Sequence, residues 1–306
     1  MTIAVTWVRV AASAANAGTG SVVAGVSQWG LPFSDLLAYS LNTDGQGGRA
    51  RSPGMNACHF SWAPFGRAPD VELIENEFPL LIPISQHFTD SGGHGAQRGG
   101  CGTVQVWVAH QAEPVFFMCV ADNSKIQTSQ GLFGGYGPAT LPGISIRHPD
   151  LLRRLREEPG AFDLDLETLL DESVVGGERT VEFMGRSVRP YDEGDVISFV
   201  FAGGGAGYGD PLDADPQSVL DGIGERSISD WAARTIYRIV YDPESGKVDE
   251  KETARLRDAE RRARLERGRP WNEFVDEWSG RRPPEEILHW FGSWPEGRPL
   301  APLIRH

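Results

Sequence analysis

Apolar and polar positions alternate with a period of two through Val104-Gln105-Val106-Trp107-Val108 and again through Thr180-Val181-Glu182-Phe183-Met184. That is the pattern of β-strands. Val115-Phe116-Phe117-Met118-Cys119-Val120 is instead a continuous apolar run, which predicts a strand covered on both faces. A further strand is predicted over Asp195–Phe201, running straight into the glycine cluster Ala202–Gly209. With 37 glycines and 21 prolines cutting the chain into short pieces, the pattern from Met1 to about Gly209 predicts a β-rich body with long loops.

Helical periodicity begins at Asp150–Glu158, a short amphipathic segment stopped by Pro159. Asp215 and Pro216 stand as N-cap and first-turn residues of a second helix, running to Ile223. Ser229 or Asp230 opens a third, predicted to continue to Tyr241. The longest spans Asp249–Arg267, where acidic and basic residues alternate on nearly every exposed turn, as on a solvated face. Beyond it Trp271, Trp278, Trp290 and Trp294 sit among prolines with little periodicity. Exposed tryptophans of this kind anchor interfaces, so the tail is read as wrapping over another subunit. The expected fold is α+β: a β-rich body with glycine-rich loops over residues 1–212, a helical region over 213–268, and an extended Trp/Pro-rich, subunit-contacting tail over 269–306.

Composition narrows the function. The chain has 306 residues, 40% hydrophobic and 23% charged, ordinary values for a soluble globular protein. Its net charge of −13 argues against a nucleic-acid surface, which needs clustered Lys and Arg. No apolar run reaches the length of a membrane span. Ser13-Ala14-Ala15-Asn16-Ala17 loosely imitates a signal cleavage site, but a basic leader is absent and Arg9 interrupts the apolar stretch. The segment is read as a strand or a partner-facing piece. Cys58, Cys101 and Cys119 lack CxxC spacing and an even count, which suits a reducing cytoplasm.

Candidate chemistry gathers in Asp90-Ser91-Gly92-Gly93-His94-Gly95-Ala96-Gln97-Arg98-Gly99-Gly100. Glycines let backbone N–H groups approach an anion closely, and Asp90, Ser91, His94 and Arg98 could orient a carbonyl or a phosphate. The same residues equally make a structural loop in which Asp90 and Arg98 satisfy backbone groups and each other. Gly203, Gly205 and Gly207 give a bare GxGxG spacing, but the Lys-Ser/Thr of a P-loop is missing and Asp210-Pro211 interrupts any helix behind it. A tight loop contacting a neighbouring domain is the favoured reading. The seven histidines form no HxH or HExxH pattern, and neither a GxSxG motif nor an activated cysteine context is present.

Ordered landmarks resemble the C-terminal half of the hydantoinase B/oxoprolinase family over roughly Val23 to Val248. They are Asn42–Gly48, Glu72–Glu75 ahead of Phe78-Pro79, Asp90-Ser91-Gly92-Gly93, Arg98-Gly99-Gly100, Gly131–Gly135, Gly203-Gly204-Gly205 and Gly209-Asp210-Pro211-Leu212. His94 departs from the pattern, where a small residue is more usual. The resemblance implies a hydantoinase A-like, actin-type partner subunit that binds ATP and Mg2+. It also implies a separate chain supplying the family's N-terminal half, which has no counterpart here, and it leaves room for a small additional subunit. A divalent transition metal would belong to that missing half or to the partner, with no metal expected in this chain.

Within the family, the tail segments Gly268–Trp271, Trp278, Pro283-Pro284 and Gly292–Pro295 resemble the C-termini of ketone-carboxylase large subunits. The implied function is a subunit, inactive alone, of an ATP-dependent ketone carboxylase of the acetone/acetophenone type, using bicarbonate and phosphorylated intermediates. The rivals are a subunit of an ATP-dependent hydantoinase, 5-oxoprolinase or lactamase, and a non-catalytic scaffold. Any residues of this chain that touch the chemistry are expected to be Asp90, Ser91, His94 and Arg98, with Asp90 orienting and Arg98 neutralising an oxyanion.

Overall fold

The fold is described from a computed structural model that covers residues 20–37, 43–58, 70–111, 114–120, 129–140, 143–158, 160, 165–182, 186–199, 203–282 and 284–285. Two antiparallel sheets dominate it. Strands β1 (Gly20–Val26) and β2 (Pro32–Leu37) form a hairpin. The segment Val71–Glu77 makes helix α1, capped by Asp70, whose carboxylate accepts the Glu72 N–H at 2.9 Å. Then come β3 (Leu80–His87), β4 (Thr103–Ala109), β5 (Val115–Val120) and β6 (Gly143–Arg147). Helices α2 (Leu151–Glu157), α3 (Leu166–Leu169) and α4 (Glu172–Val175) precede β7 (Glu178–Glu182), β8 (Arg186–Tyr191) and β9 (Val196–Phe199). One sheet has the order β2-β1-β5-β8 and the other β3-β4-β9-β6-β7. In edge strand β3 the register with β4 shifts between Leu81 and Ile84, around Pro83, which has no N–H to give to a ladder.

Alternation builds the core from these strands. Val23, Phe117 and Tyr191 of the first sheet meet Leu80, Ile82, Trp107 and Ile197 of the second, with Trp107 stacked on Phe117 at 5.3 Å between ring centres. On its other side the five-stranded sheet turns Ile84, Val106, Val108, Ile146 and Val196 toward Leu151, Leu169 and Val175 of the helices. That sheet is therefore covered twice. In β5, by contrast, Val115 and Phe117 are buried while Phe116 and Met118 are exposed. The continuous apolar run predicted cover on both sides, and among the described residues cover exists on one.

A third core joins α5 (Pro216–Gly224) and α6 (Asp230–Thr235) through Val219, Ile228, Ala232, Ala233 and Tyr237. Asp215 forms its predicted cap, accepting the Gln217 N–H at 3.1 Å. Of the two candidates Ser229 and Asp230, it is Ser229 that caps α6, accepting the Ala232 N–H at 3.0 Å. Helix α6 stops short of the predicted Tyr241. Arg238 adopts φ +55° and the Ile239 N–H turns back to the Ala233 carbonyl at 3.0 Å, which breaks the helical period. The chain divides into two compact units, Met1–Thr253 and Ala254–His306. Helix α7 (Glu250–Arg267) is the long charged helix. Within the tail expected to be extended, Trp271–Ser279 forms helix α8, where Trp271 stacks on Phe274 at 5.8 Å and Phe274 meets Trp278 at a tilt at 5.7 Å. The i, i+3, i+7 spacing of those aromatics is the periodicity that the prolines obscured. Trp290, Trp294 and the segment before Gly20 lie outside the described residues.

Candidate functional site

Four glycine-bearing segments, 44–48, 91–102, 131–137 and 203–209, run against one another and bond chiefly through backbone. Gly45 N–H donates to Gly203 O at 2.8 Å, Gly93 N–H to Gly205 O at 2.8 Å, Gly205 N–H to Gly100 O at 2.9 Å and Gly207 N–H to Tyr136 O at 2.9 Å. Gln97 and Tyr208 exchange both of their backbone bonds, each at 2.9 Å. Such approach is open only to residues without side chains: a Cβ on Gly99 would fall on the Gly205 carbonyl, and one on Gly45 on the Gly100 carbonyl. The result is a layer in which each strand-like segment uses its neighbours as hydrogen-bond partners, as buried backbone requires.

The Asp90–Arg98 loop hangs from this layer and is held from the other side by the segment between α5 and α6. Asp90 sits at φ +58°, and its Oδ1 accepts the Ser229 N–H at 2.9 Å while its own N–H reaches Ser227 O at 3.1 Å. Ser91 is fully buried, and its Oγ accepts the Gly102 N–H at 3.1 Å. His94 Nδ1 lies 3.2 Å from the Tyr237 hydroxyl, with the two rings edge to face. Burial drives the His94 pKa below its ordinary value, with Arg98 adding to the fall and Asp90 opposing it. Burial likewise pushes the Tyr237 phenol up. Both groups are thus neutral near pH 7.

Arg98 donates through Nη1 to Asn56 Oδ1 at 2.8 Å and to Gly99 O at 3.0 Å, and through Nη2 to Glu225 Oε2 at 3.2 Å. Asn56 is the junction that sequence reading missed. Its Oδ1 also accepts the Cys101 N–H at 2.9 Å and its Nδ2 donates to Ser227 Oγ at 2.8 Å. Nothing in the pattern around Ser52–Cys58 distinguishes it from a loop asparagine. The four expected residues are therefore brought into one loop, each with a partner of its own inside the chain. Asp90 alone of them lines a cleft of about 540 Å³, beside Phe88, Thr89, Asp165, Glu167 and Arg226. Three carboxylates against one guanidinium make this lining unfavourable for an anion.

The second glycine cluster does not fit a phosphate cradle. Gly203 N–H is given to Asp44 Oδ1 at 2.8 Å, and the N–H groups of Gly205, Gly207, Tyr208 and Gly209 all go to carbonyls of other segments. Asp210 then caps a short 3₁₀ turn at Pro211–Asp213, so no long helix presents its N-terminus to a nucleotide. The cluster contacts loops of its own unit. Among the described residues no group of three or more His, Cys, Asp or Glu side chains is arranged to hold a metal ion, and no helix is long and apolar enough to cross a membrane.

Comparison with known proteins adds a family to this geometry. The chain is 49% identical over 299 residues to the acetophenone carboxylase delta subunit of Aromatoleum aromaticum, an alignment taking in 98% of this chain and 44% of that one. It is 30% identical over 186 residues to the caprolactamase subunit beta of Pseudomonas jessenii, covering 60% of this chain and 27% of that one. Among solved structures, nucleotide-free acetone carboxylase, determined in work on ATP-dependent acetone carboxylation, superposes with a TM-score of 0.79 at 25% identity, over 90% of this chain and 37% of that one. The chain thus spans less than half the length of each of these relatives. Residues 3–211 match the family described as Hydantoinase B/oxoprolinase, and the chain, glycine layer included, belongs to that family.

Proposed function

We propose that the chain is one subunit of a multi-subunit, ATP-dependent ketone carboxylase of the acetone/acetophenone type. The observation that carries this reading is the 49% identity, across 98% of the chain, to an acetophenone carboxylase subunit. In the proposed reaction ATP phosphorylates the enolate oxygen of the ketone and also bicarbonate. The enol carbon then attacks the carboxyphosphate carbon and expels its phosphate, while water takes the phosphoryl group from the former enolate oxygen, restoring the ketone and releasing a second phosphate. A carboxyphosphate-type species hydrolyses in water, so the reaction needs a closed cavity. This chain is proposed to supply walls of that cavity and to be inactive alone.

ATP and Mg2+ are assigned to a hydantoinase A-like partner, in keeping with the spent N–H groups of the Ala202–Gly209 loop. A separate chain is proposed to carry the N-terminal half of the family's subunit. The assembly is placed in the cytoplasm, where ATP is made and the three cysteines stay reduced. Asp90, Ser91, His94 and Arg98 are proposed as the part of this chain nearest the chemistry, Asp90 orienting and Arg98 neutralising developing negative charge.

The test is bicarbonate dependence. With the assembled complex and acetophenone or acetone, ATP hydrolysis is expected to require bicarbonate. Bicarbonate-independent ATP hydrolysis driven by a cyclic amide would contradict the carboxylase reading and favour a hydrolase, the reading that the likeness to a caprolactamase subunit supports. A scaffold role is favoured by the internal partners of all four loop residues. Near-normal turnover of an intact complex carrying Asp90→Asn or Arg98→Lys would establish it.

A further inference from the structure

The outer face of the four-stranded sheet is as apolar as its inner face. Register across the strands sets Leu36, Val22, Met118 and Val188 in one row and Ser34, Ala24, Phe116 and Pro190 in the next, with Pro32 and Val26 following. These rows hold no charged residue, and the row beyond them on the same face, Gly20, Val120 and Arg186, brings one at the start of β8. The alternate positions Val23, Phe117 and Tyr191 fill the core, so the outward set is unambiguous. An antiparallel sheet that meets water on one side normally turns polar residues toward it. Here Leu36 is 48% exposed, Met118 39% and Val188 62%, and the tip of the hairpin adds Trp29 at 72%. Contiguous apolar patches beyond roughly a few hundred Å² mark contact surfaces.

The five-stranded sheet shows the contrast, because α2, α3 and α4 cover its outer side. Among the described residues nothing plays that part for the four-stranded sheet. A candidate for that cover is the part of the family's subunit with which this chain does not align. The relatives carry more than half of their length outside the region this chain aligns with, the chain covering 44% of one and 37% of another. A second copy of this chain is a poorer occupant, since each copy brings a net charge of −13 and like-charged surfaces repel on approach.

We infer that the outer face of the β2-β1-β5-β8 sheet is the docking surface for the polypeptide carrying the rest of the family's length, as a separate chain that lays an apolar element across Val22, Phe116, Met118 and Val188. The inference rests on the split-subunit reading above and names the surface through which the split is repaired.

Hydroxyl-radical footprinting tests it, comparing this chain alone with the complex isolated from its own source, every chain of which is identified by mass and sequence. Oxidation of Met118 and Trp29 is expected to fall at least five-fold in the complex. Val188→Glu is expected to leave the melting of the isolated chain unchanged and to weaken assembly at least ten-fold, because it buries an unpaired charge. Should that variant fail to fold, the wild-type footprint decides alone. Met118 as reactive in a complex that contains the complementary chain as in the free subunit would overturn the docking surface and leave the split intact. A complex with no such chain would overturn the split itself, and the docking surface with it. Protection of Met118 that grows with the concentration of this chain alone would assign the face to a second copy and overturn the inference.

Discussion

The glycine layer and the four-stranded sheet satisfy the same backbone in opposite ways. In the layer, segments such as Gly45–Gly48 and Gly203–Gly209 bond to one another with no side chains between them, and they leave no N–H aimed outward at a ligand from Gly203, Gly205, Gly207, Tyr208 or Gly209. In the sheet, strands pair within a plane and project side chains from both faces, one buried and one open. The glycine motifs that mark the family are packing devices. On the open face of the sheet the exposed residues are ordinary apolar ones, Met118 and Val188 among them.

The largest effect is expected in the layer. Gly99→Ala sets a methyl group on the Gly205 carbonyl, with backbone on both sides and no flexible side chain to yield. A loss of about 4 kcal/mol or more is expected, enough to unfold a domain of ordinary stability. Gly224→Ala at the end of α5 meets nothing within 4 Å and is expected to leave stability unchanged or raise it by up to about 1 kcal/mol. Urea unfolding of both variants separates close packing from a generic intolerance of glycine replacement.

A smaller effect is expected where side chains tie the layer to the α5–α6 segment. Asn56→Ala strands the Cys101 N–H and one Arg98 contact, at a cost of about 2–3 kcal/mol for the buried partners left unpaired. The same urea midpoints read it. Smaller again is the acid response of His94. Its pKa is lowered in the folded chain, so below the ordinary value of about 6.5 the unfolded state binds more protons and stability falls as pH falls. Thermal melting from pH 8 to pH 5 is expected to show this loss, and His94→Gln is expected to flatten it. The smallest effect belongs to the open face, where Val188→Glu in the isolated chain is expected to stay within about 0.5 kcal/mol of wild type.

Much of this molecule is legible in its sequence, for physical reasons that differ by element. The period-two runs marked β4 and, as far as Glu182, β7, with Phe183 and Met184 outside the described residues. Asp215-Pro216 and the pair Ser229-Asp230 marked two helix starts. Both signals, alternation and capping, are local. Helix α6 ends early through the Arg238 backbone conformation and the burial of Tyr237, which depend on tertiary contacts. Helix α8 was hidden because prolines on either side suggested an extended chain. In the candidate site, the Asp90–Arg98 loop stood out by composition, yet its partners Asn56, Glu225, Ser227 and Tyr237 lie up to 143 residues away and carry no local pattern. The run Val115–Val120 is instructive in another way. It reads as a strand covered on both faces, and the described residues supply one of the two covers.

The most direct test of the account is native mass spectrometry of the protein isolated from its own source. The expected result is a stoichiometric assembly of this chain with a hydantoinase A-like ATP-binding subunit and a chain carrying the rest of the family's length. A stable monomer, or an assembly of this chain alone, would contradict it.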